Sequence, residues 1–128
     1  MIGSRTGQAT SAQAIRFAEL HDIGCIACRL RGVGWVPPEM DHRNVGDLAG
    51  MPRTEGGHDD TLPLCCWHHR GISHQGYGKA ESLKIFGPSK QLHKKLFIET
   101  FGTIDELYQQ LNAMLDRYRA ATRIRPAC

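Results

Sequence analysis

Two pairs of soft ligands stand at knuckle spacing: Cys25-x-x-Cys28, and further along Cys65-x-x-His68. Two thiolates followed by a thiolate and an imidazole are the donors that close a tetrahedral zinc shell, and four protein ligands complete a structural rather than a catalytic site. Cys66 competes with Cys65 for the third place, but the x-x-His spacing favours Cys65. Between the pairs lies Glu39-Met-Asp41-His42, a carboxylate next to a histidine, which a purely structural zinc module does not require. Neighbours on a strand point to opposite sides. A bend or a strand end there would let Asp41 face a metal ion while His42 faces a water, placing Lewis-acid and general-base roles side by side. Directly after the second pair come His69 and, in Arg70-Gly-Ile-Ser-His74, a further imidazole; with Asp41 they make candidate ligands for a second cation.

Oxygen and nitrogen donors of this kind suit magnesium or manganese, whereas the thiolate set selects zinc. A second zinc could take the catalytic place in crystals. Arg29, Arg31, Arg43 and Arg70 flank these motifs and are the candidate phosphate contacts, which hold a nucleic-acid backbone without reading its sequence. Lys90, Lys94 and Lys95 could extend the same surface.

The elements that must position these groups follow from local patterns. Ser11 caps a helix that brings Ile15, Phe17 and Leu20 to partial burial and ends at Gly24, delivering the chain to Cys25. Val33 to His42 reads as extended, with Pro37-Pro38 forbidding helix, and ends as a hairpin strand at Asp41-His42. Residues 43–60 are polar, with a turn at Gly56-Gly57, and TLPLC supplies the returning strand. A knuckle and short helix then run from Cys65 to Arg70. Further helices are expected over residues 79–86, from Pro88 to Phe101, and beyond Gly102, where Thr103 and Glu106 form a capping box. In that last helix Ile104, Leu107, Tyr108, Leu111, Leu115 and Tyr118 recur at helical spacing, as a packing face does.

At 128 residues the chain accommodates one domain. Residues 1–10 read as a flexible arm, 11–120 as the zinc-stabilised domain and 121–128 as a tail. Fourteen glycines and few aromatics imply a thin core, which a structural zinc, contributing about 10–16 kcal/mol of apparent binding free energy, would offset. Cysteine pairs bind metal more readily than they form disulfides in a reducing compartment. No apolar run reaches the length of a membrane span and no secretory signal opens the chain, so the expectation is a cytoplasmic protein without membrane contact. The net charge of +3 and pI near 8.7 are compatible with nucleic acid without requiring it.

The order Cys-x-x-Cys, Asp-His, Gly-Gly, Asp60, Leu-Cys-x-x-His-His resembles an HNH endonuclease built on a zinc knuckle. Through GCIAC, EMDHRN, PLCCWHHRG, SHQGYG, FGPSKQLHKKLF and ETFGTIDEL, over roughly residues 20–115, the chain is similar to the phage Ref family of RecA-dependent nucleases and its small prophage relatives. The resemblance implies an α+β fold with a small ββα-metal core and a structural zinc knuckle, flanked by an N-terminal helix and C-terminal helices. It implies His42 as the catalytic histidine, metal contacts from Asp41 and His69, DNA as substrate and a RecA filament as partner. The HNH pattern usually carries asparagine where this chain has Asp60. Read without the resemblance, the same residues also allow a non-catalytic zinc module that binds nucleic acid. A third reading, an interaction protein docking through its C-terminal helix, requires the Ile104, Leu107 and Leu111 stripe to be exposed.

Overall fold

The computed structural model describes residues 11–42 and 61–124, with side chains to residue 122. Helix α1, Ser11–Ile23, ends where Gly24 turns left-handed at φ +81° and returns its N–H to Leu20 O at 2.9 Å. Only its last turns meet the core: Leu20 and Ile23 are buried, whereas Ile15 stands 62% exposed, against the expectation of partial burial. Helix α2, Ile26–Arg31, follows at once. Strand β1, Glu39–His42, pairs antiparallel with β2, Thr61–Leu64, with Asp41 opposite Leu62 and His42 opposite Thr61. Every residue of β2 is buried. Pro63 is accommodated because a sheet of two strands leaves each strand an edge with no ladder bond to give.

Helix α3, Cys66–Arg70, opens directly after β2. The order β, β, α over a mixed α+β framework agrees with the expected fold class, and α4 (Lys79–Phe86), α5 (Lys94–Phe101) and α6 (Ile104–Ile124) wrap it. The capping box of α6 forms as expected, with Thr103 N–H on Glu106 Oε1 at 2.8 Å and Glu106 N–H on Thr103 Oγ1 at 3.1 Å.

Two elements differ from the sequence expectation. Helix α2 was not anticipated; Cys25 caps it, its Sγ accepting from Cys28 N–H, and Gly32 ends it in the left-handed region. The helix expected from Pro88 starts only at Lys94, and residues 90–92 form a turn instead. Competing hydrogen bonds decide this. Lys90 N–H goes to the His68 carbonyl at 2.8 Å, Leu92 N–H to Ser89 Oγ at 3.3 Å, and Ser89 N–H to His93 Nδ1 at 3.1 Å. A segment whose donors are already satisfied outside the helix gains nothing by extending α5.

The core gathers Leu20, Ile23, Ile26, Leu62, Leu64, Trp67, Phe86, Phe97 and Phe101 against Ile104, Leu107, Leu111 and Leu115 of α6. The α6 stripe is therefore spent inside the molecule, which removes the reading in which it is an exposed docking face.

Candidate metal centre and active site

Cys25 and Cys65 hold equivalent places. Each sits in extended backbone as the N-cap of a short helix, each accepts on its sulfur from a backbone N–H three residues on, and each helix closes at a left-handed glycine, Gly32 or Gly71. The third helical residue in each, Cys28 and His68, then turns back towards its cap. The ligand atoms of Cys25, Cys28, Cys65 and His68 lie within 4.8 Å of one another, all buried.

The spacing tests whether a metal fits. Bond lengths of about 2.3 Å to sulfur and 2.0–2.1 Å to nitrogen give tetrahedral edges of about 3.8 Å between sulfurs and about 3.6 Å from sulfur to nitrogen. Cys28 Sγ is 3.9 Å from Cys65 Sγ, and His68 Nδ1 stands 3.4, 3.6 and 3.2 Å from the sulfurs of Cys25, Cys28 and Cys65. The far nitrogen of His68, Nε2, lies 2.7 Å from the Phe86 carbonyl, to which it can only donate, so the proton is fixed there and Nδ1 is left as a lone-pair donor. Hydrogen bonding to the Cys25 and Cys65 sulfurs pushes the Cys28 thiol up, as expected where three sulfurs share too few protons. This donor set could hold a metal such as zinc, and it is the one such group among the described residues.

One residue along α3, His69 turns to β1 instead. Strand alternation puts Glu39 and Asp41 on one side of β1, and both meet the His69 ring. Glu39 Oε1 is 2.8 Å from Nδ1, and Asp41 Oδ1 is 3.3 Å from Nε2. Arg70 grips Glu39 with two nitrogens, Nε at 2.9 Å and an Nη2 contact. Lys90 Nζ lies 2.7 Å from Asp41 Oδ2. Asp41 is nearly enclosed: burial pushes its carboxyl up, but the His69 hydrogen bond and the Lys90 charge outweigh that and hold it below the usual carboxylate range. His69 is raised, first by its bond to Asp41, with burial opposing and Glu39 assisting. Glu39 is lowered, chiefly by Arg70.

Of the residues singled out by sequence, Asp41 and His69 are brought together. His42 closes β1, half-buried, and alternation places it on the other face of the strand from Asp41. His74 packs its ring 4.7 Å from Phe86, with Nε2 buried and lacking a hydrogen bond, and it joins no group of converging metal ligands among the described residues. Arg70 is committed to Glu39, Arg31 caps the end of α4 through the Lys84 carbonyl at 3.0 Å, and Arg29 reaches the Ile23 carbonyl. Asp60, Arg43 and the Gly56-Gly57 turn lie outside the described residues, as do the arm and the end of the tail. Lys90 and Glu39 are the contributions that sequence reasoning did not assign to the site. The period-2 pattern of Glu39 and Asp41 was available to reveal one of them, and nothing local marks the other.

A β, β, α unit seated on a thiolate and imidazole cluster, with Asp41 and His69 paired beside it, defines an α+β protein with a buried group that could hold a metal such as zinc. The family model for recombination enhancement, RecA-dependent nuclease, matches residues 9–116, and the chain belongs to that family. No curated protein and no solved structure matches it. Among the described residues no helix is long and apolar enough to cross a membrane.

Proposed function

We propose that the protein is a metal-dependent DNA endonuclease of HNH type, acting in RecA-dependent recombination, with zinc held at Cys25, Cys28, Cys65 and His68 and a divalent cation held by Asp41 and His69. The observation that carries this reading is the Glu39, His69, Asp41 chain. A carboxylate on Nδ1 fixes the ring so that Nε2 faces a second carboxylate oxygen 3.3 Å away. A metal-binding histidine is oriented in this way. Magnesium and manganese take one or two protein ligands and fill the remaining places with water and substrate phosphate, so two donors suffice. Asp60, in the place of the usual asparagine, completes the proposed set, whereas His74, packed on Phe86 with Nε2 buried, is left out of it.

When bound, such a cation neutralises charge that builds on the scissile phosphate and its leaving oxygen. His42, the last residue of β1, is the proposed base that accepts a proton from the attacking water, a contribution on the order of 10²–10⁴ in rate. Asp41 stays ionised, because its carboxyl sits below the ordinary range. Arg43, and the guanidinium donors of Arg29, Arg31 and Arg70 that their partners within the protein leave over, are the proposed contacts to the DNA backbone, with a RecA filament as partner and the cytoplasm as the site of action.

A metal count separates this function from that of a zinc module that only binds nucleic acid. Zinc analysis after dialysis, followed by titration with manganese, should give one tightly held zinc and a second, weaker cation site that Asp41→Asn abolishes while the zinc remains. A single zinc and no manganese binding would leave only the binding module.

A further inference from the structure

Among the described residues, Lys90 is placed unlike the other lysines. Its side chain is 11% exposed and its ammonium meets Asp41 Oδ2 at 2.7 Å, while the other oxygen, Oδ1, faces His69. Its backbone is fastened as well, with Lys90 N–H on the carbonyl of His68, the knuckle ligand, at 2.8 Å. The turn that carries it is pinned by the buried Ser89 and lies hard against the end of α3, where a Cβ on Gly71 would stand 2.5 Å from Leu92 Cγ. A lysine held at both ends beside an enclosed carboxylate is part of a built arrangement, whereas a surface lysine pays side-chain entropy to keep such a contact.

We propose that Lys90 is a positioning residue of the cation site, reserving Oδ2 so that Asp41 offers one oxygen, Oδ1, to a cation shared with His69. The inference rests on the reading of Asp41 and His69 as that site. Two consequences follow from charge and geometry. A fixed positive charge beside the carboxylate opposes a divalent cation, so the site is kept weaker than its ligands alone would make it. With Oδ2 occupied, the carboxylate cannot rotate to clasp the cation with both oxygens and draw it away from the His69 nitrogen. Affinity is given up and a defined cation position is gained, the position being what the rate depends on.

The test is manganese binding by calorimetry on the full-length, zinc-loaded chain, with Lys90→Met and Lys90→Gln beside wild type, paired with initial rates of DNA cleavage. Removing the charge should tighten manganese binding by at least about threefold and lower kcat by at least about tenfold, with the KM for DNA unchanged. Lys90→Gln keeps a neutral donor and serves if the methionine variant fails to retain zinc. Unchanged or weaker manganese binding in both variants would overturn the assignment even if activity fell, because a merely structural lysine gives that result. Tighter binding with unchanged kcat would overturn it too. If wild type itself bound no manganese, the function reading would fall together with this one, whereas binding that is lost in Asp41→Asn but indifferent to Lys90 would sink this inference alone.

Discussion

At the scale of single residues, the informative contrast is between His68 and His69. They are adjacent in sequence, yet one turns Nδ1 inward to three sulfurs and the other turns Nε2 outward to Asp41. In each case the remaining nitrogen is anchored, by the Phe86 carbonyl or by Glu39, and that anchor fixes the orientation of the ring. Glu39→Gln should therefore lower manganese affinity or cleavage rate by about 10–100-fold while leaving zinc content unchanged, since outer partners of a ligand histidine carry effects of that size. Equal activity of the variant and wild type would remove Glu39 from the site. The identities of the knuckle ligands were legible from spacing alone, because x-x spacing from a helix cap returns a side chain to that cap. Lys90 was not legible: it lies 49 residues from Asp41 in sequence, and only the tertiary turn brings them together.

At the scale of elements, helix ends were mostly readable and their partners were not. The Thr103 and Glu106 box and the glycines at 24 and 102 mark boundaries through local hydrogen bonding, which a sequence displays. The turn at residues 90–92 was read as helix because its competing acceptor, the His68 carbonyl, is remote in sequence. Gly71 joins the two elements: it is left-handed at φ +74° and leaves no room for a Cβ beside Leu92. Gly71→Ala should destabilise the fold by roughly 1–3 kcal/mol through backbone strain, before any cost of displacing the turn that carries Lys90. Denaturant unfolding checks this, and a change under 0.5 kcal/mol, about the level of a neutral surface substitution, would contradict it. Elsewhere, α1 and α6 are joined by Arg119 on Glu19, at 2.9 and 2.7 Å. The Arg119 hydrogen bond is the main reason the Glu19 carboxyl sits below its ordinary range, ahead of an opposing cost of burial. A depressed folded pKa means the pair stabilises above the ordinary carboxylate range and that this is lost as pH falls through the lowered value. With Arg119 half in water, Glu19→Gln should cost only about 0.5–1 kcal/mol at neutral pH. The difference from wild type should vanish in acid; a difference that grew in acid would contradict the sign.

For the whole molecule, the metal cluster and the apolar core occupy one place. Cys25, Cys28 and Cys65 are members of the buried cluster, and the His68 ring meets Phe86 and Phe101 edge to face and Phe97 at a tilt. Zinc is thus expected at the centre of the fold, consistent with the thin composition, and its removal should unfold the domain rather than loosen one end. Removal of the metal by a strong chelator should release one zinc per chain with loss of the helical circular-dichroism signal. Retention of that signal would show that the core stands without metal. The α+β class and the knuckle were legible in the sequence, while the enclosure of the α6 stripe was settled by packing, since a helical apolar stripe looks alike whether it meets its own core or a partner.

DNA cleavage by wild type and a His42 variant decides whether the protein is a nuclease with His42 as its base. Supercoiled and single-stranded DNA would be incubated with magnesium or manganese, with and without RecA, beside a His42→Ala variant whose zinc content and helical signal match wild type. The expected result is metal-dependent cleavage by wild type and a loss on the order of 10²-fold or more in the variant. Cleavage that survives His42→Ala unchanged, or wild type that is inert under every one of these conditions, would contradict it.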